Sequence, residues 1–438
     1  MERGTQKERV AAMEKTDKRY KAYIQILKEE LLPAMGCTEP IAIAYAAAKA
    51  AEVLGERPEK LVIEVSGNII KNVKSVVVPH TGGLRGIQAA AAAGAVAGDA
   101  GAELEVISKV TPEQIKEINA YLEKADIEVK HVDNGHIFDI GITAVKGGEE
   151  SYVRIVDFHT NIVTVRHGDK LLISKKTETG DDGDALTDRS CLTIEGIVEF
   201  ADILDVEDVR EILERQISYN MAIAEEGLAG DYGANIGSTL MLGHEYDLKY
   251  VMRSYAAAAS DARMNGCELP VVINSGSGNQ GITSSIPVIV YGRARNRSKE
   301  EILKALAVSN LVTIHLKTGI GRLSAYCGAV SAGCGAGAGI AYMQGKGVEG
   351  VAHTVVNALA VDSGIVCDGA KASCAAKISM AVEAGLMGLS MYSKGNNFFG
   401  GDGLVKNGVE NTIDVVGRLA RFGMKETDEE IIRLMLED

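Results

Sequence analysis

Tryptophan is absent from the 438 residues, aromatics make up 5%, prolines number 7, and glycines reach 49. Ring packing is thereby excluded as the main source of a core, and small side chains with close backbone contact must supply it. There is no CxxC pair, no HExxH and no GxSxG. Zinc ribbons, zincin proteases and α/β-hydrolases lose their usual spacings. The opening MERGTQKERVAA has no apolar stretch of the kind a secretory signal carries, and no charge-free apolar run is long enough to span a bilayer. A soluble, cytoplasmic protein is expected, with no membrane partner.

Charge is present but lopsided. Lys and Arg number 46 against 60 Asp and Glu, a formal net charge of −14, which repels a polyanion at long range and argues against nucleic acid as a partner. The 7 cysteines are odd in number and spread over a long chain, so a disulfide framework is not expected. Metal binding, catalysis and core filling remain open for them.

The length exceeds one ordinary core and points to two domains. Helical periodicity covers Tyr20 to Leu32, and a second helix runs from Pro40 through IAIAYAAAKAAEVLG to Gly55. From Lys60 the runs LVIEVS, IIKNVKSVVV, ELEVISKV, IEVKHV, HIFDIGITAV, SYVRIV and NIVTVRHG read as strands, with helices at 87–98 and 112–124 between them. Residues 175–188 lack periodicity and read as an exposed loop. Beyond them, 193–202, 206–228, 246–264, 298–315, 348–361, 371–386 and 427–437 read as helices, and AYCGAVSAGCGAGAGIAYMQG as a buried, closely packed one. The expected fold is an α+β domain over residues 1–200 followed by a mainly α-helical domain over 201–438.

Cys37, in GCTEP, stands where a helix begins. A thiol there feels the positive helix end, which favours a thiolate nucleophile, base or ligand; the plain alternative is a small buried hydrophobe. Cys327, Cys367 and Cys374 gather in the helical half. Cys367 and Cys374 are two helical turns apart, about 10 Å by the rise per residue, too far to share one ion on an unbroken helix. A multi-iron cluster or a break near Asp368 and Gly369 accommodates both. Two Gly-rich segments, HTGGLRGI at 80–87 and NSGSGNQGI at 274–282, can present backbone N–H groups to an anion such as a small carboxylate, with Arg85 and Asn279 adding side chains. Glycine for tight turns is the plain alternative at each, and neither is read as a nucleotide site. Of the 8 scattered histidines, His80 beside the first loop is the acid–base or substrate-binding candidate.

These motifs together resemble the iron–sulfur L-cysteine desulfidase family, itself similar to the iron–sulfur L-serine dehydratases. The marks are GCTEPIAIAYAAAKA at 36–50, VVVPHTGGLRGIQAAAAAG at 76–94, INSGSGNQGI at 273–282, AYCGAV and VCDGAKASC. The resemblance spans nearly the whole chain. It implies a dehydratase β-domain-like N-terminal part, an α-domain-like C-terminal part, and a 4Fe-4S cluster held by Cys327, Cys367 and Cys374 with one iron open to substrate or to Cys37. The implied reaction is α,β-elimination on L-cysteine to pyruvate, ammonia and sulfide, with Cys37 as catalytic base. His80, Thr81, Gly82, Arg85, Ser277 and Asn279 are the candidate substrate-binding residues, while Cys191, Cys267 and Cys334 are structural. An L-serine dehydratase is the nearest alternative, and a non-catalytic iron–sulfur sensor or a structural zinc protein is the alternative from another class. An apolar Ala/Gly-rich helix face would suit a homodimer.

Overall fold

The computed structural model describes residues 13–176, 186–321 and 324–437. The first twelve residues, and 177–185 of the expected loop, lie outside the described residues. The chain opens with α1 (Lys18–Glu30), β1 (Pro33–Met35), α2 (Thr38–Leu54), β2 (Lys60–Val65), α3 (Gly67–Val73), α4 (Gly86–Ala97) and α5 (Pro112–Lys124). Five strands follow: β3 (Asp126–His131), β4 (Asp139–Lys146), β5 (Glu149–Val156), β6 (Ile162–His167) and β7 (Lys170–Ser174). The remainder holds α6 (Ile194–Ile203), α7 (Arg210–Ala229), α8 (Ile236–Met241), α9 (Leu248–Met264), β8 (Pro270–Val272) and α10 (Gly278–Ala294). It closes with α11 (Lys299–Ile320), α12 (Gly328–Met343), α13 (Gly347–Asp362), α14 (Cys374–Ser393), α15 (Val409–Arg418) and α16 (Lys425–Leu436).

A mixed α/β region followed by a largely helical one is the arrangement read from the sequence. The sheet has the order β3-β2-β4-β5-β6-β7, with β2 and β3 parallel and every other pair antiparallel. Alternation along β2 turns Leu61, Ile63 and Val65 inward, where they share one core with α2, α4 and the inner residues of β4 and β5. The alanines of α2 let α4 approach until a side chain at Gly94 would overlap the Ala44 carbonyl. The second core is helical. It takes in α1 and α6 as well as the later helices, because Tyr20 packs tilted and Tyr23 edge-on against Phe200 at ring distances of 5.2 and 5.4 Å.

Two runs expected as strands fold otherwise. IIKNV is helix α3, opened at Ser66, since its apolar spacing suits one helical turn as well as a strand and its seven residues are buried on every side. ELEVISKV is a 3-10 turn and loop, started by Asp99 accepting from the Gly101 N–H at 3.0 Å. Strand β7 and helices α8 and α15 were not expected. Helix α5 starts where the sequence placed it, with Thr111 and Gln114 forming a reciprocal cap around Pro112 at the first helical position.

Cys327 lies at the start of α12 and Cys374 opens α14. A side chain at Gly333 would overlap the Ala381 carbonyl, and one at Gly385 the Gly333 carbonyl, while Gly337 meets Gly385. Contacts that advance together, 333 on 381 and 337 on 385, mean that the two helices run parallel. Their starts therefore lie side by side. Helix α14 is long and apolar enough by length and composition to cross a membrane, but 56% of that window is buried in the protein, against α9, α12 and α13.

Replacing Gly385 with Val should force α12 and α14 apart and lower stability by about 1–3 kcal/mol, in the range of overpacked cores. Urea denaturation midpoints of the two proteins check this.

Candidate active site

Strand β1 pairs antiparallel with β8, Met35 facing Pro270 and Pro33 facing Val272, and the Ile273 N–H continues the ladder to the Leu32 carbonyl at 2.9 Å. This short ribbon sets the GCTEP loop beside the NSGSGNQG loop. Gly36 has φ +59°, and a side chain there would overlap the Pro79 ring, so the turn that aims Cys37 also seats the VVVPHTGG segment. Three of the motifs thus meet at one place.

Cys37 precedes the first turn of α2 and is 3% exposed, in a small cluster with Val76, Met264, Ala370 and Cys374. Its Sγ donates to Glu39 Oε2 at 3.2 Å. Glu39 accepts two further bonds, from Thr38 Oγ1 at 3.1 Å and from Asn72 Nδ2 at 3.1 Å. The sequence placed Cys37 where a helix end would ease ionisation. In the folded protein the thiol is instead pushed well above its ordinary value, first by burial and then by the Glu39 carboxylate, with the Arg263 guanidinium pulling the other way.

Cys327, Cys367 and Cys374 are all half-buried and converge. Burial, followed by the nearby Cys367 and Cys374 sulfurs, pushes the Cys327 thiol up to about 12, while Lys377 opposes the shift. Cys374 is raised by burial and by Cys367, with Lys371 and Lys377 opposing. A break between helices allows the convergence: Cys367 follows the bridge of Val366 to Tyr326, its N–H donating to the Ala325 carbonyl at 2.6 Å, and α14 starts only at Cys374. Gly369, at φ +92°, fits directly against the Lys71 carbonyl of α3, which docks this loop onto the α/β region. Asp368 is held by Lys371 at 2.5 Å and by Lys377. Among the described residues no group of three or more His, Cys, Asp or Glu side chains is placed to hold a single metal ion.

The other candidates divide. Ser277 caps α10 by accepting from the Gln280 N–H at 3.5 Å, and Asn279 accepts from Arg263 Nη1 at 3.1 Å. His80 sits at φ +56° with Nδ1 3.2 Å from Glu268 Oε1 and with Nε2 buried and unpartnered. Thr81 donates to the Val78 carbonyl at 2.6 Å and serves the turn. Gly82 is exposed and faces Ile115, while exposed Arg85 donates to the Ser75 carbonyl at 3.0 Å. Neither is drawn to the cysteines by any of these contacts. The spacing Gly276-x-Gly278-x-x-Gly281 has the form of a dinucleotide fingerprint, but β8 pairs only with antiparallel β1, so the parallel βαβ setting is missing. Sequence reasoning missed Arg263, Gln280, Glu39, Asn72 and Lys377; the first of these ends an amphipathic helix in SDARMNG, where a surface position is the ordinary reading.

A separate pocket between Leu359, Ser363, Phe398 and Val416 has a volume of about 230 Å³ and includes none of the cysteines.

The profile described as serine dehydratase alpha chain matches residues 101–433. A UPF0597 protein of Desulfitobacterium hafniense is 56% identical over 427 residues, covering 97% of this chain and 98% of the relative. UPF0597 proteins of Treponema denticola and Shewanella oneidensis are 46% and 37% identical, each over 425 residues that cover 96% and 95% of this chain and 99% of each relative. The chain belongs to the serine dehydratase alpha chain family, together with these UPF0597 proteins.

Gly36→Ala should strain the left-handed turn and displace Pro79. The expected result is at least a tenfold faster reaction of Cys37 with a thiol reagent, read by mass spectrometry of the labelled peptide, together with a lower melting temperature.

Proposed function

We propose that this protein is a lyase that eliminates the β-substituent and the α-proton of a small L-amino acid, L-serine in the first instance, to yield pyruvate and ammonia. The observation that carries the reading is the convergence of Cys327, Cys367 and Cys374 beside Cys37, in a chain of the serine dehydratase alpha chain family. Soft thiols gathered from separate segments, whose thiolates would disfavour one another without a cation, suit an iron–sulfur group better than a core, where they would be dispersed. A cluster gives each cysteine its own iron, so its ligands need not meet around one ion. The three cysteines would hold a 4Fe-4S cluster, which supplies a Lewis-acidic iron to the departing hydroxyl when bound.

The chain's own groups account for the remaining steps. Cys37 Sγ takes the α-proton once its own proton has passed along the hydrogen bond to Glu39 Oε2, a step that burial makes costly and that the Arg263 guanidinium eases only in part. Thr38 and Asn72 hold the Glu39 carboxylate in place. The first N–H groups of α10 face the substrate carboxylate and receive charge that delocalises onto it as the α-proton leaves. Loss of hydroxide and the proton leaves aminoacrylate, which tautomerises to an imine, and water then releases ammonia and pyruvate.

L-cysteine is the second substrate reading, favoured by the likeness of the GCTEP segment to the desulfidases; sulfide would leave in place of hydroxide. The deciding assay follows pyruvate, ammonia and sulfide from both amino acids with protein reconstituted anaerobically with iron and sulfide. Pyruvate and ammonia in equal amounts from L-serine are expected, abolished in Cys327→Ala, Cys367→Ala and Cys374→Ala, and reduced about 10²- to 10⁴-fold in Cys37→Ala. Faster sulfide release from L-cysteine would make the protein a desulfidase. Bound iron without turnover of either would make it a sensor, and full turnover in the three cysteine variants would defeat the proposal.

A further inference from the structure

Arg263, the penultimate residue of α9, is 5% exposed and carries a charge that burial makes costly without a partner. Among the described residues its guanidinium makes one side-chain hydrogen bond, from Nη1 to the neutral amide of Asn279 at 3.1 Å. Its Nε is buried with no partner, and no ion pair to it occurs among the described residues. The guanidinium lies so close to the first residue of α10 that a side chain at Gly278 would overlap Nε and Cζ. Two sources of positive potential, a buried cation and the start of a 17-residue helix, therefore face one spot.

Two residues further along α10 an orphan of opposite polarity appears. Gln280 is 4% exposed, and its Oε1 is buried without a donor. Its amide lies against Gly328, next to Cys327, where a side chain would come within 2.7 to 3.0 Å of it. On the other side Met264, the residue after Arg263, packs in the cluster that holds Cys37. A cation lacking an anion and an acceptor lacking a donor thus stand between the Cys37 cluster and Cys327.

We infer that Arg263 and Gln280, with the first turn of α10, form the receptor for the zwitterionic head of an α-amino acid, Arg263 taking the carboxylate and Gln280 Oε1 the ammonium. Asn279 is the positioning residue that holds the guanidinium against the helix start. The inference deepens the lyase reading by assigning the groups that select an α-amino acid over a plain acid or amine, and its physical basis is the pair of unsatisfied buried groups, which does not depend on turnover.

Calorimetric titration of the anaerobically reconstituted protein with L-alanine, propionate and L-alaninamide tests it, since none of the three has a β-leaving group. L-alanine should bind at least about tenfold more tightly than either of the others, which lack one charge each. Arg263→Gln should lose about tenfold or more for L-alanine and propionate while leaving L-alaninamide unchanged, and Arg263→Lys should recover part of that loss. Gln280→Met should bring L-alanine down to the level of propionate. Far-ultraviolet circular dichroism and melting temperature establish that each variant is folded, and the Arg263→Lys protein carries the test if Arg263→Gln does not fold. Unaltered L-alanine binding in a folded Arg263 variant overturns the inference, as does a wild type that binds neither L-alanine nor propionate. If L-alanine binds as expected but neither L-serine nor L-cysteine is turned over, the receptor stands and the lyase reading falls.

Discussion

The close parallel crossing of α12 and α14 is the constraint on which the cysteine site depends. Glycine at 333, 337 and 385 removes the side chains that would separate the helices, so backbone meets backbone over about one turn. Dispersion and burial at that distance replace what aromatic packing supplies elsewhere. Because the crossing is parallel, both helices present their N-terminal ends on one side, and with them Cys327 and Cys374. The abundance of glycine and the lack of tryptophan are therefore two sides of one solution: small residues bring helix starts together at a spacing that large ones would forbid.

The opposite wall is fixed by a buried amide network. Asn310 of α11 exchanges hydrogen bonds with Gln216 of α7 at 2.8 and 3.1 Å and accepts from Asn274 at 2.9 Å. Asn220 Nδ2 donates to the Gly281 carbonyl at 3.1 Å and to Ser285 Oγ at 2.9 Å, while its Oδ1 accepts from the Val272 N–H at 2.8 Å. Each of these polar groups is satisfied deep in the helical core, so the loop from Asn274 to Gly281 is held from both ends. Against that rigid loop, the unsatisfied atoms of Arg263 and Gln280 stand out as exceptions. The α/β region contributes Cys37, Glu39 and Asn72 from α2 and α3, which places the site on the seam of the two cores rather than inside either.

Local signals made much of this legible. Helical spacing marked α5 as far as its bounds, period-two alternation marked β2, β4, β5 and β6, and glycine-rich apolar sequence marked α12 as a buried helix. Short apolar runs were ambiguous: IIKNV satisfies both periods, and only its burial between two regions selects the helix. The cysteines were recognisable as a group through resemblance to a family, but their meeting depends on a helix crossing that no spacing encodes. The ionisation of Cys37 shows the limit most clearly. Its place at a helix start was correctly read, yet its thiol is governed by burial and by Glu39, which only tertiary packing establishes. Arg263 was overlooked for the same reason, since its value lies in the partner it lacks.

The distribution of the site along the chain has a consequence for biosynthesis. Cys37 and Glu39 are made early, whereas Cys374 is made near the end. Helix α16, made later still, then ties down α3 through Asp428 to Lys71 and to Asn68 Nδ2, the latter at 3.0 Å. At ordinary translation speeds the interval between Cys37 and Cys374 is roughly 20 to 70 s. During that time the nascent α/β region carries an unpaired wall of the site, with the Gly369 contact on Lys71 still unmade. Completion of the site is thus a late event, reached only once the segment from Cys327 to Asp428 has been made and packed against the earlier α/β region.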